Sequence, residues 1–273
     1  ETDEVSLREQ QEFEIFGSLQ NSHPNILLVE DEIEMGRFIA NEITGDYNVI
    51  LARNGQEALK ALEKFHIILV VSDVIMPVIN GYELCIQIKS NIEYSHIPVI
   101  LLTAIVHLTA RIQSLDSGAD AYIEKPFSTD LLMAQIENLI KNRSLYRQNF
   151  ISSPLAHIKS VALNNTDEEF LEKLNSIIMD NISENDLNVE TIAVLMGLSI
   201  PTLYRKVKAL TDLNTVEYIR LVRLKKAAEL LCENNYRINE ISYLVGFSSP
   251  SYFATSFQKQ FGLSPSQFVR KNI

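Results

Sequence analysis

Five short apolar runs alternate with helix-length segments between residues 25 and 142, and this alternation constrains the fold more than any other feature. The runs are 25–29, 47–51, 67–72, 99–103 and 121–124. The segments between them carry apolar residues at helical spacing, for example Leu131, Ile136, Leu139 and Ile140. Strand and helix in turn imply a doubly wound, five-stranded parallel sheet with helices on both faces. Four of the runs deliver a polar residue at the carboxyl end. Glu30-Asp31 follow Asn25 to Val29, Asp73 follows the run to Ser72, Thr103 follows Val99 to Leu102, and Lys125 follows Ala121 to Glu124. In a parallel α/β sheet those ends lie together, at the crevice where ligands bind.

The residue types collected there suit one chemistry. A phosphoryl group moving to a carboxylate passes through a transition state with charge on its equatorial oxygens, so catalysis is mostly positioning and neutralisation. Magnesium takes few protein carboxylates and keeps waters, which fits Glu30, Asp31 and Asp73. Lys125 supplies a compact cation for phosphoryl oxygens, and Thr103 a hydroxyl donor. A single carboxylate at a strand end would be an ordinary solvated loop residue. The whole set at these spacings, with Pro126 after Lys125 and Pro77 four after Asp73, is not.

Past residue 142 the rhythm breaks. Ser152-Ser153-Pro154 and Asn164-Asn165-Thr166 mark residues 143–166 as an interdomain connector, and Thr166 offers an N-cap with acids in the first turn. The remainder of the chain is helical and contains a repeat. Val189, Ile192, Met196, Gly197 and Leu198 recur 49 residues later as Ile238, Ile241, Val245, Gly246 and Phe247. Ser199, Pro201 and Leu203 then align with Ser249, Ser251 and Phe253 at an offset of 50. Each copy reads as a short apolar-faced helix, a glycine able to take positive φ, and a second helix opened by serine. That is a helix-turn-helix, present twice.

Charge assigns a polyanion to this part of the chain. The net charge is −11, but residues 1–195 hold 13 Lys and Arg against 30 Asp and Glu, whereas residues 196–273 hold 11 against 5. An acidic body with a basic end places nucleic acid at the basic end. In the first copy Leu203 and Val207 point inward, and Pro201, Thr202, Tyr204 and Arg205 lie outward near the amino end, the part of a recognition helix that reaches base edges. Arg205 is the candidate for reading a guanine, and Lys206 and Lys208 for phosphate contacts. In the second copy Phe253 and Phe257 are core, while Pro250, Ser251, Ala254 and Thr255 face outward, with Lys259 following. Those small residues promise less sequence discrimination than the first helix.

The remaining features are quiet. Cys85 and Cys232 sit in helical segments without metal-ligand spacing, and the five histidines are scattered with no pair at i, i+4. The longest apolar runs fall far short of the roughly 18 residues a membrane span requires, so this segment is expected to be cytoplasmic with no membrane contact. Residues 1–22 read as a polar, acidic leader, and the non-Met start suggests a fragment of a longer protein. None of the nine glycines lies in a G-x-G array, so no ATP-binding lid is encoded and the segment is not expected to be an enzyme in its own right.

On these residues the chain resembles two known families. Val29-Glu30-Asp31-Glu32, Ser72-Asp73-Val74-Ile75-Met76-Pro77 through Gly81, Leu102-Thr103-Ala104 and Lys125-Pro126-Phe127 resemble the receiver domain of two-component response regulators, a flavodoxin-like fold, over residues 23–142. The resemblance implies that a histidine kinase phosphorylates Asp73. It also implies that Asp31, Asp73 and the Ile75 carbonyl hold Mg²⁺ with Glu30 acting through water, and that Thr103 and Tyr122 form the switch pair. Ile75 and Ile105, two residues beyond Asp73 and Thr103, are both apolar and cannot orient an attacking water, which implies a long-lived aspartyl phosphate. Residues 167–273 resemble the AraC-type DNA-binding domain, with matches at Ala193, Met196 to Ser199, Leu203-Tyr204-Arg205, Ile241, Val245-Gly246-Phe247, Tyr252-Phe253, Phe257-Gln258-Lys259 and Phe261 to Pro265. That family joins its two units by a long helix, here about Thr215 to Glu233.

Receiver followed by AraC-type domain resembles the C-terminal part of hybrid two-component regulators. It implies double-stranded DNA and a histidine kinase as partners, the kinase in the same parent chain in such hybrids. A homodimer is expected on phosphorylation, through the 107–117, 121–124 and 128–142 region. The competing readings are a fragment of a larger hybrid histidine kinase, and a receiver that relays phosphate or docks while the DNA half binds constitutively.

Overall fold

The structure is a computed structural model that describes residues 13–18, 22–104, 117–156, 158–184 and 187–272. The chain divides into two compact units, residues 1–142 and 143–273. No helix among the described residues is long and apolar enough to cross a membrane.

The first unit is built on one sheet of six strands: β1 (Glu14–Phe16), β2 (Asn25–Val29), β3 (Asn48–Ala52), β4 (Ile67–Asp73), β5 (Val99–Thr103) and β6 (Ala121–Glu124). Their spatial order is β1-β3-β2-β4-β5-β6, and β2 through β6 run parallel. Helices α1 (Ile33–Ile43), α2 (Gly55–Lys64), α3 (Gly81–Ser90) and α4 (Thr129–Ser152) alternate with the strands. One face of the sheet packs Ala58, Ala61 and Leu62 of α2 with Leu84, Cys85 and Ile88 of α3. The other packs Ile39, Ala40 and Ile43 of α1 with Leu132 and Ile136 of α4. Covered on both sides, the central strands are almost continuously apolar and fully buried.

The expected sheet of five parallel strands gains a sixth, antiparallel one. β1 pairs with β3 through Glu14–Leu51, Ile15–Ile50 and Phe16–Val49. Phe13 drives this pairing: it is buried against Phe65, ring edge to ring face at 5.6 Å. Glu14 adds an ion pair to Arg37 at 2.8 Å, and the Ser18 amide donates to Asn48 Oδ1 at 3.1 Å. Part of the stretch expected as leader therefore belongs to the sheet.

The second unit is helical. After the end of α4 and a 3₁₀ turn at Ile158–Val161 come α5 (Asn165–Asp180), α6 (Val189–Met196), α7 (Ile200–Thr211), α8 (Thr215–Glu233), α9 (Ile238–Leu244), α10 (Pro250–Phe261) and α11 (Pro265–Asn272). α5 is capped by Asn164, whose side chain accepts from the Asp167 amide at 2.8 Å, and not by Thr166 as expected. Asn164 precedes the first helical residue, where its oxygen can meet an orphan amide. α8, the predicted long helix, buries Tyr218, Leu221, Leu224, Ala227, Ala228 and Leu231.

The start of the expected connector is packed into this unit. Phe150 is 1% exposed and stacks on Tyr218, with ring centroids 6.4 Å apart. Lys225 of α8 lies 4.5 Å from the Phe150 ring centre and donates to the carbonyls of Ser153 at 2.5 Å and Ala156 at 3.2 Å. Gln260 of α10 donates to the Ile151 carbonyl at 2.9 Å.

Candidate phosphoryl site and nucleic-acid face

The strand order of the first unit reverses direction at β2, and the crevice beside β2 and β4 is the switch point where such sheets bind ligands. Register brings the polar strand ends into line there. Val29 pairs with Ser72, Asp73 with Leu102 and Thr103 with Glu124. Glu30 and Asp31 thus emerge next to Asp73, with Thr103 and Lys125 on the other side.

Lys125 holds the group together. Its Nζ donates to Glu30 Oε2 and to Asp73 Oδ2, each at 2.9 Å. Asp73 Oδ1 accepts from the Val74 amide at 2.6 Å and lies 3.4 Å from the Ile75 amide. The loop beyond is tightly folded onto the strand. The Gly81 amide donates to the Val74 carbonyl at 3.0 Å, and a Cβ on Gly81 would lie 2.2 Å from the Asp73 carbonyl oxygen. Only glycine fits that approach. Asn80 and Glu83 close a reciprocal cap on α3 immediately after this loop.

The electrostatics derive from burial. Glu30 is almost fully buried, and loss of hydration pushes its carboxyl above the ordinary value; Lys125 pulls it down, and the Asp73 charge adds to the rise. Burial opposes the charge on Lys125, but hydrogen bonds to Glu30 and Asp73 and their charges outweigh it, so the ammonium is held above its ordinary value. Glu30, Asp31 and Asp73 each offer a carboxylate oxygen within 4.8 Å of the others, with Asp31 exposed and the other two buried. Three hard oxygen donors, one open to solvent, fit a small divalent cation.

The remaining expected residues fall around this centre. Thr103 is half-buried, and its carbonyl accepts from the Lys125 amide at 2.7 Å. Tyr122 is half-buried against the α3 side of the core, and its hydroxyl shares a 3.0 Å hydrogen bond with Ser117 Oγ. Ser117 is a partner that no local pattern in the sequence marks. Ile75 is exposed. Ile105 and residues 107–116 of the expected dimer surface lie outside the described residues.

In the second unit both predicted helix-turn-helix copies form. Gly197 takes φ +73 between α6 and α7, and Gly246 takes φ +77 before α10. Ser199 and Ser249 cap α7 and α10 by accepting from the Thr202 and Tyr252 amides. Pro201, Tyr204, Arg205 and Lys208 are exposed on α7, and Thr202 is half-buried. Lys208 pairs with Asp212 at 3.0 Å. On α10, Ser251, Thr255 and Lys259 are exposed, while Pro250 and Ala254 are half-buried.

Lys206 is a correction. Expected at a phosphate, it is 1% exposed and makes a 2.5 Å ion pair with Asp167 of α5, itself 1% exposed. A side chain so enclosed does not reach DNA. Its spacing carried the signal: Lys206 lies three after Leu203 and four before Leu210, on the helix face that is buried.

Comparison with known proteins matches residues 26–137 to the response regulator receiver domain and residues 192–271 to a helix-turn-helix domain. Histidine kinase P4 of Formosa agariphila is 41% identical over 246 residues, which cover 90% of this chain but only 18% of that protein. The probable transcriptional regulator ycf29 of Pyropia yezoensis is 32% identical over 169 residues, 60% of this chain and 73% of the relative. Among solved structures, the signal receiver domain of a signal transduction histidine kinase from Syntrophus aciditrophicus is 35% identical with a TM-score of 0.42, covering 44% of this chain and 91% of that one.

Proposed function

The chain belongs to the two-component response regulators, joining a receiver domain to an AraC-type helix-turn-helix domain, and on that premise we propose that phosphorylation of Asp73 switches its binding to specific DNA. The observation that carries this reading is the Lys125 ammonium shared between Glu30 and Asp73 at 2.9 Å each, beside the exposed Asp31.

The chemistry is a transfer to a carboxylate. An Asp73 oxygen forms a bond to phosphorus as the phosphorus–nitrogen bond of the donor's phosphohistidine breaks, and the histidine nitrogen takes up a proton. Mg²⁺, held by Asp31, Asp73 and the Ile75 carbonyl with Glu30 through water, would neutralise charge on the phosphoryl oxygens. Lys125 supplies a fixed cation to the same oxygens, and the Thr103 hydroxyl a donor. Thr103 and Tyr122 then pass the change to the surface around 107–117, 121–124 and 128–142, where two copies would pair. The donor is a histidine kinase, and relatives bearing that name support this assignment. Ile75 and Ile105 give a long-lived phosphoaspartate.

The decisive test selects DNA sites from a random pool with the protein, with and without Mg²⁺ and beryllofluoride, a mimic of phosphate on Asp73. A paired motif enriched mainly with beryllofluoride, and lost in Asp73→Asn, is the expected result. The same motif enriched equally without it would mean constitutive DNA binding and a receiver that acts on another protein.

A further inference from the structure

We infer that the buried Asp167–Lys206 ion pair sets the rotation of α7, making both side chains positioning residues for DNA reading. The inference rests on the proposed DNA-binding role of α7. Lys206 lies between exposed Arg205 and buried Val207 in the helix whose amino-terminal half faces outward. Its Nζ meets Asp167 Oδ1 at 2.5 Å and sits 6.0 Å from the Phe170 ring centre. The other carboxylate oxygen, Oδ2, accepts from Asn164 Nδ2 at 2.7 Å, and the Asn164 oxygen caps α5 through the Asp167 amide. Asp167 is thus tied to its own helix through Oδ2 and its amide, while Oδ1 takes the ammonium.

Two ions taken out of water carry a hydration cost that their attraction and hydrogen bonds must offset, and apolar side chains of the same volume would hold two helices together as well or better. What apolar contacts do not supply is direction. Each residue step turns a helix by about 100°, so a modest rotation of α7 would carry Arg205 and Tyr204 away from the outward face. A short hydrogen-bonded contact between two fixed groups resists that rotation. In the second copy the residue at the Lys206 position, offset by 50, is Ser256, which carries no charge to pair. The first copy is also the one with Arg205 to aim.

The test compares the full chain with Lys206→Met, Asp167→Leu and the double variant. On a DNA site selected with the parent protein, the double variant is expected to keep its melting temperature while losing at least tenfold in affinity. It should also discriminate less against changes at the base read by Arg205. The dependence of affinity on salt should not change, because no phosphate contact is removed; losing one would lower the slope by about 0.9. Backbone residual dipolar couplings should report a changed orientation of α7 relative to α8. A lowered salt slope in Lys206→Met overturns the inference in favour of a phosphate contact. Unchanged affinity, discrimination and α7 orientation in the double variant overturn it in favour of a purely structural pair. A parent chain that selects no DNA overturns the DNA-binding reading instead, and the couplings then still decide whether the pair orients α7.

Discussion

The two helix-turn-helix copies share a glycine turn, a serine cap and an apolar stripe, yet they secure their second helices by different means. α7 is fixed to α5 by one buried ion pair. α10 is fixed by aromatic rings: its Phe253 meets Phe247 of the preceding turn and its Phe257 meets Phe268 of α11, both edge to face, with centroids 5.3 and 5.5 Å apart. Their turns differ in the same spirit. A Cβ on Gly197 would meet open space, whereas one on Gly246 would lie 2.2 Å from the Ile182 carbonyl and 2.9 Å from the Arg223 guanidinium carbon. Arg223 itself donates to the carbonyls of Gly246 and Glu184. A duplicated pattern can therefore keep its outline while one copy becomes tightly enclosed and the other stays open.

The largest expected effect tests that contrast directly. Gly246→Ala combines a left-handed backbone with a backbone collision and should cost more than about 4 kcal/mol, enough to unfold the second unit. Gly197→Ala carries only the backbone strain, about 1–2 kcal/mol. Thermal unfolding of both variants checks the pair, and equal losses would break the comparison.

The two buried lysines described in the second unit sharpen it. Lys206 has a carboxylate partner, whereas Lys225, on the helix between the copies, is held by two carbonyls and a ring. Burial pushes Lys225 down to about 8, below its unfolded value near 10.4. Between those values the unfolded chain binds the extra proton, so stability rises with pH there, by up to about 3 kcal/mol. Urea unfolding of the parent and Lys225→Met from about pH 7.5 to about pH 10 should show the parent gaining on the variant. A constant difference would mean that Lys225 keeps its proton throughout.

A smaller effect concerns DNA. Arg205→Ala should lose about 1–3 kcal/mol and relax discrimination at one base, while Thr255→Ala should change affinity by less than about 0.5 kcal/mol. Fluorescence anisotropy with a selected duplex measures both. Comparable losses would mean that the two helices read DNA equally.

How much of the molecule is legible in the sequence depends on the range of the interaction involved. Each strand of the parallel sheet has a dense apolar run, and each site residue comes directly after one, so Glu30, Asp31, Asp73, Thr103 and Lys125 are legible from residue order alone. β1 is not, because three residues give too little alternation to separate a strand from a polar leader. Its pairing depends on Phe13 reaching Phe65, a contact across the fold. Lys206 is misleading because basic residues flank it, and its partner stands 39 positions away. The fixed end of α4 is hidden for the same reason, since Phe150 finds Tyr218 only in three dimensions.

β1 also has a consequence for assembly. A parallel sheet ending at β3 would present a row of free amides and carbonyls, a template on which another chain could add a strand. Residues 14–16 occupy that row, and the Glu14–Arg37 pair places charge along the new border. A receiver trimmed back to its first parallel strand would lose this seal and gain a sticky margin. Its self-association would then say nothing about signalling, and a dimer measured on such a fragment would need to be repeated with residues 13–18 in place.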